Sequence, residues 1–125
     1  MAADLGVLQR LPKICANDSV AREIAFTARD LTAVEAEKLG VVSEVHPTQE
    51  ETLKRALDLA ASIAARSPVA VQGTKVVMNF SRDHSTQDSL AFTLAWQQAM
   101  LQSEDVQIAV GALISKDKNP KFANL

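Results

Sequence analysis

Apolar residues recur along most of the chain at the three- and four-residue spacing of amphipathic helices. Polar helix-capping residues precede these runs at residues 17–19, 32–35, 48–51, 67–68 and 85. Two of these segments, residues 32–35 and 48–51, fit the Thr-x-x-Glu capping box. Ser67 is followed by a proline, a residue that is well tolerated in the first turn of a helix. The pattern therefore predicts a mainly α protein.

One segment departs from the helical pattern. Residues 41–45 (Val-Val-Ser-Glu-Val) are rich in β-branched side chains and end before Pro47, which indicates a short strand. No internal repeat or low-complexity linker divides the chain. We therefore expect a single helical domain over residues 1–125, with one short strand near residues 41–45.

The predicted helix over residues 90–101 is apolar on two sides. Phe92, Trp96 and Met100 lie on one side, whereas Leu90, Leu94 and Leu101 lie on another. A helix that is apolar over so wide an arc needs cover from more than one direction. Neighbouring helices of the same chain or a second subunit would both supply this cover, and the sequence leaves the two alternatives open.

Composition and charge narrow the class of protein. Hydrophobic residues make up 47% and charged residues 22%, which is typical of a globular chain. The net charge of -2 argues against a nucleic-acid partner. Cys15 is the only cysteine, so neither an internal disulfide nor a Cys-rich zinc site is expected. The longest uncharged run, residues 89–103, is too short to span a membrane, and no leader pattern opens the chain. A soluble intracellular protein is expected.

The residue pattern contains few candidates for a catalytic, metal-binding or anion-binding site. Residues 83–85 (Asp-His-Ser) contain the residue types of a catalytic triad, but consecutive residues cannot face one another, so a helix-capping cluster is favoured. His46 is expected to be a solvated loop residue, and neither histidine has metal-ligand spacing. The sequence alone favours an N-cap role for Asp4. Lys116, Lys118 and Lys121 are favoured as helix-dipole partners over an anion site.

Four segments resemble a known family. Residues 2–13 (AADLGVLQRLPK), 26–43 (FTAR…A…AEKLGVVS) and 67–75 (SPVAVQGTK) resemble the enoyl-CoA hydratase/isomerase (crotonase) superfamily. Residues 81–85 (SRDHS) are similar to its Δ3,5-Δ2,4-dienoyl-CoA isomerase branch. The resemblance implies a spiral of ββα units followed by C-terminal helices that form oligomers. It covers only the later half of that fold, with residues 1–46 matching the end of the core and residues 47–125 the oligomerisation helices.

The resemblance also implies an activity and its site. Dienoyl-CoA isomerases of fatty-acid β-oxidation relocate a proton along a conjugated thioester, using two acidic side chains and an oxyanion hole of backbone amides. Asp4, in Ala-Ala-Asp-Leu-Gly, matches one of these acids. The glutamate partner and the oxyanion hole correspond to positions upstream of Met1. Lys116, Lys118 and Lys121 are the nearest candidates for the adenine end of coenzyme A, which is part of the substrate, so no separate cofactor is expected.

These features lead to several expectations. The 125-residue chain alone is expected to be inactive, to act on acyl-CoA only when completed by an N-terminal half, and to form a homo-oligomer, either a trimer or a hexamer. The alternative is a non-catalytic helical module that assembles with full-length relatives, and a third possibility is a reading frame that starts upstream. Residues 123–125 (Ala-Asn-Leu) resemble a peroxisomal import tripeptide that lacks its basic middle residue. This resemblance favours a peroxisome or related organelle over a mitochondrial or cytoplasmic location.

Overall fold

The computed structural model describes residues 3–123, which form helices joined by short connections. The helices are α1 (Val7–Ile14), α2 (Asp18–Thr27), α3 (Ala33–Lys38), α4 (Gln49–Ala64), α5 (Pro68–Ser81), α6 (Thr86–Met100) and α7 (Glu104–Ser115). The chain divides into two compact units, unit 1 and unit 2, and the boundary between them lies between Leu53 and Lys54, within α4. The predicted mainly α class is confirmed. No helix in the described part is both long enough and apolar enough to cross a bilayer.

Unit 1 contains α1, α2 and α3, and α1 packs against α2. Its most buried apolar residues are small: Cys15, Ala21 and Ala36. The predicted cap of α2 is present, because the Asn17 side chain accepts hydrogen bonds from two backbone amides of the first turn. The Cys15 thiol donates to the Asn17 carbonyl at 3.3 Å, which ties the end of α1 to the start of α2.

The predicted strand at residues 41–45 is wrong. No strand occurs between residues 3 and 123, and this segment instead closes α3. Gly40 takes a left-handed φ of 73° and its amide donates to the Glu37 carbonyl at 3.0 Å, while the Val41 amide donates to the Ala36 carbonyl at 2.8 Å. This pair of bonds is a Schellman motif. A strand needs a partner strand to satisfy its backbone groups, whereas here the Val41 amide is already hydrogen-bonded to the last turn of α3.

Unit 2 is built around the pairing of α5 with α6. The predicted cap of α5 is present, since Ser67 Oγ accepts from the Ala70 amide at 3.1 Å. The same hydroxyl donates to Asp105 Oδ2 at 2.5 Å, and the Val69 amide lies 3.4 Å from that oxygen. Asp105 lies in the first turn of α7 and is only 7% exposed. One buried carboxylate therefore joins the first turns of α5 and α7.

Helix α6 is covered on one side only. Phe92, Trp96 and Met100 are partly buried, and the Phe92 ring stacks on Phe80 of α5 with centroids 4.2 Å apart. On the other side, Leu90, Leu94 and Leu101 are 66%, 64% and 60% exposed. Neighbouring helices of unit 2 therefore cover the aromatic side, and the leucine side is uncovered. Helix α4 is exposed at every residue.

Candidate functional site

Asp4 lies just before α1, in unit 1, and is exposed. Its backbone carbonyl accepts from the amides of Val7 and Leu8, at 3.2 and 3.4 Å. Its carboxylate makes no hydrogen bond or ion pair with the described residues. The N-cap prediction for Asp4 is wrong, because Gly6 occupies that position with a φ of 92° and its amide donates to Gln9 Oε1 at 2.8 Å. The Asp4 carboxylate is thus left free to meet a ligand or another chain segment.

The chain beside Asp4 is apolar and open to solvent. Leu5 is 88% exposed, and Val7 and Leu8 are 48% and 49% exposed. A small cavity of about 140 Å³ opens between α1 and α2, with Leu8 and Phe26 in its wall, but Asp4 does not line it. Asp4 therefore lies beside an exposed apolar patch, the type of surface that marks interaction sites in proteins.

The three candidate lysines belong to unit 2. Lys116 ends α7 in a left-handed conformation with a φ of 57°, and Lys118 and Lys121 follow in the irregular tail. All three are exposed, and none forms an ion pair with a carboxylate of the described residues. The structure therefore places Asp4 and the lysines in different units.

The favoured role for residues 83–85 is confirmed at the serine. Ser85 caps α6: its hydroxyl accepts from the Asp88 amide at 3.1 Å and donates to Asp88 Oδ2 at 2.6 Å. The His84 ring stacks on Phe80 at 3.7 Å, and its Nδ1 lies 2.7 Å from the Phe80 carbonyl oxygen. His84 and Ser85 therefore stabilise the connection between α5 and α6, His84 by contacts with the end of α5 and Ser85 by capping α6.

His46 lies in a loop, as predicted, but is less solvated than expected. Its ring is partly buried, and Nε2 lies 3.2 Å from Glu44 Oε2. No group of three His, Cys, Asp or Glu side chains between residues 3 and 123 is arranged to hold a metal ion. The structure thus gives His46 a carboxylate partner.

The predicted capping box of α3 is present, and beside it lies an arginine, Arg29, that the sequence pattern did not indicate. The Thr32 amide and hydroxyl both donate to Glu35 Oε2, at 3.1 and 3.0 Å. These bonds lower the pKa of Glu35, and the nearby Arg29 guanidinium lowers it further. Arg29 also pairs with Glu23 at 2.8 Å, and it precedes Glu35 by six residues, which matches no helical pair spacing. This cluster holds α2 and α3 together and lies on the surface.

A cavity of about 310 Å³, which the sequence did not predict, lies in unit 2 between α5 and α6. Gly73, Trp96 and Met100 contribute to its wall, and we call it the α5–α6 cavity. The contact between Gly73 on α5 and the Trp96 ring is visible only in the structure, so the sequence pattern carries no signal for this cavity.

Known proteins match the whole described chain. The sequence profile of the family described as enoyl-CoA hydratase/isomerase matches residues 1–124. A mitochondrial Δ(3,5)-Δ(2,4)-dienoyl-CoA isomerase from Pongo abelii is 51% identical over 112 residues, covering 90% of this chain and 34% of the relative. A peroxisomal one from Arabidopsis thaliana is 42% identical over 125 residues, covering all of this chain and 44% of the relative.

Solved structures agree with the sequence matches. An enoyl-CoA hydratase from Mycobacterium tuberculosis H37Rv superposes with a TM-score of 0.90 at 28% identity, covering all of this chain and 48% of that one. The chain thus spans less than half the length of these relatives, and it corresponds to the helical C-terminal part of their fold. Profile, sequence identity and backbone together show that the chain belongs to the enoyl-CoA hydratase/isomerase family.

Proposed function

We propose that the chain forms part of a dienoyl-CoA isomerase that shifts the double bonds of an acyl-CoA during fatty-acid β-oxidation. The observation that carries this proposal is the identity of 51% and 42% to two Δ(3,5)-Δ(2,4)-dienoyl-CoA isomerases from an animal and a plant. The substrate is then a 3,5-dienoyl-CoA, and coenzyme A enters as part of it.

The reaction that these names define is a balanced proton relocation. The 3,5-diene becomes a 2,4-diene when one proton leaves C2 and one proton is added at C6, while the double bonds shift toward the thioester. The intermediate is an extended enolate, which backbone amides of an oxyanion hole would stabilise. The two proton transfers need two acid–base groups near opposite ends of the diene.

Asp4 is the proposed proton-transferring residue of this chain. Support comes from its match to the aspartate of the dienoyl-CoA isomerase branch and from its carboxylate, which has no partner among the described residues. Because Asp4 is exposed here, the proposal requires that substrate and further protein surface cover it during turnover. The second acid and the oxyanion hole would come from residues outside these 125.

The lysine group is the proposed contact for the phosphate and adenine end of coenzyme A. Lys116, Lys118 and Lys121 are exposed cations without a carboxylate partner in the described part of the chain, so they are available to an anion. Two of them lie in the irregular tail after α7, where the backbone is free of helix geometry.

Assembly and location are part of the same proposal. The uncovered leucine side of α6 supports homo-oligomerisation, as a trimer or hexamer, with residues 47–125 as the assembly region and residues 1–46 as the end of the catalytic core. A mitochondrial and a peroxisomal relative support either organelle. The peroxisomal import tripeptide predicted at residues 123–125 stays a prediction, because Asn124 and Leu125 lie outside the described residues.

A chimera tests the proposed function. The matching 125 residues of the Arabidopsis thaliana relative are replaced by this chain, and conversion of a 3,5-dienoyl-CoA is followed by the absorbance of the conjugated 2,4-product. We expect turnover within about tenfold of the parent enzyme, because 42% identity preserves the packing pattern. The 125-residue chain by itself should show none. A folded chimera that hydrates 2-enoyl-CoA but leaves the diene unchanged would contradict the proposal.

A further inference from the structure

The α5–α6 cavity has the character of a small-molecule site. Its volume of about 310 Å³ lies at the lower end of the range for ligand pockets. Most of its wall is apolar, with Val69, Val77, Met78, Trp96, Met100 and Val106. On α5 the wall extends from Val69 to Met78, a span of about 14 Å at the helical rise. The cavity is therefore elongated along the helix.

Two polar groups in this wall have no partner among the described residues, the Trp96 indole N–H and the Ser103 hydroxyl. The Trp96 indole N–H makes no hydrogen bond with the described residues, and its nitrogen is not sealed from solvent. It lies directly over Gly73, where an added Cβ would be 2.7 Å from Nε1. An indole N–H that faces a cavity usually finds an acceptor, so the cavity presents the directional Trp96 donor beside mainly apolar side chains.

Charge decides which acceptor fits. No charged side chain of the described residues lines the cavity. The buried Asp105 carboxylate lies behind its Ser67 wall, 2.5 Å from the Ser67 hydroxyl. An anionic ligand would meet no cation here and would be repelled by that carboxylate. A neutral oxygen acceptor avoids both costs.

We propose that the α5–α6 cavity binds a neutral, elongated apolar molecule that carries a carbonyl oxygen, with the Trp96 indole N–H donating to that oxygen. This site belongs wholly to unit 2 and does not depend on Asp4 or on the proposed isomerase activity.

Trp96 is the only tryptophan, so its fluorescence reports on the cavity directly. The 125-residue protein is titrated with 2-decanone, with 1-decene as the probe that lacks an acceptor, and with decanoate as the charged probe. We expect a saturable change in emission with 2-decanone, about fivefold weaker binding of 1-decene, and no binding of decanoate in the same concentration range. Absence of saturation with 2-decanone up to its solubility, or equal binding of decanoate, would overturn the proposal.

Two variants on α5 locate the ligand. Val77→Phe fills the cavity and should abolish the response, whereas Val76→Phe adds the same ring to a neighbouring residue outside the wall and should leave it intact. In the Trp96→Phe variant, ligand-observed NMR should show about fivefold weaker binding of 2-decanone and unchanged binding of 1-decene. Equal responses from the two valine variants would refute the site. An emission change that tracks protein concentration without ligand would place a second copy in the cavity and also refute it.

Discussion

At the scale of single residues, the contact between Gly73 and Trp96 determines how closely α5 and α6 approach. Gly73 is buried, and an added Cβ would lie 2.7 Å from the indole nitrogen, which is closer than any relaxed contact. The obstacle is a rigid ring and not the end of a flexible side chain. Gly111 on α7 is the opposite case, because nothing lies within 4 Å of an added Cβ.

We therefore predict opposite effects for two identical substitutions. Gly73→Ala should lower the free energy of unfolding by about 1–3 kcal/mol, since overpacking outweighs the roughly 1 kcal/mol gain in helix propensity. Gly111→Ala should raise it by up to about 1 kcal/mol. Urea denaturation of the 125-residue protein measures both. A stabilised Gly73→Ala variant would mean that the indole does not rest on α5.

At the scale of helices, two serines at equivalent positions differ in what their hydroxyls do. Ser85 accepts from the Asp88 amide at the start of α6. Ser103 occupies the same position before α7, but its hydroxyl is buried and makes no hydrogen bond with any described residue. A serine side chain at the N-cap stabilises a helix mainly through such a bond.

Alanine at each position should separate the two cases. Ser85→Ala is expected to cost about 1 kcal/mol of stability, because an amide of the first turn loses its acceptor. Ser103→Ala should be neutral within about 0.5 kcal/mol or slightly stabilising, because it removes a buried polar group without a partner. Thermal unfolding of both variants measures this difference. Equal losses would show that the Ser103 hydroxyl does cap α7 in solution.

The helices were predictable because their signals are local. Thr32 and Glu35 lie three residues apart and satisfy each other's backbone within one turn. The strand at residues 41–45 failed because pairing partners are not local, and β-branched composition alone cannot supply one. Asp4 is a candidate proton-transferring residue only through the family resemblance, since nothing in its local pattern distinguishes a proton-transferring acid from a capping residue. The α5–α6 cavity depends on how α5 and α6 pack, which periodicity does not encode.

At the scale of the whole molecule, the uncovered leucines predict self-association. Leu94 is 64% exposed on the side of α6 that lies opposite its aromatic residues. Leu94→Glu should shift the protein toward a 13.5 kDa monomer in sedimentation velocity, because burying the new charge in an apolar interface is costly. Ala99→Glu adds the same charge at an exposed residue that lies about 140° around α6 from Leu94, away from the leucine side, and should leave assembly unchanged. A wild-type protein that stays monomeric at high concentration would disprove this role.

The central claim is that Asp4 transfers a proton during dienoyl-CoA isomerisation. The most direct measurement compares kcat for a 3,5-dienoyl-CoA in the chimera with that of its Asp4→Asn variant, using Asp30→Asn as an exposed aspartate control. Loss of a proton-transferring carboxylate should lower kcat by about 100-fold or more, with KM and folding preserved, and the control should match the unmodified chimera. An Asp4→Asn chimera that retains full kcat would contradict the claim.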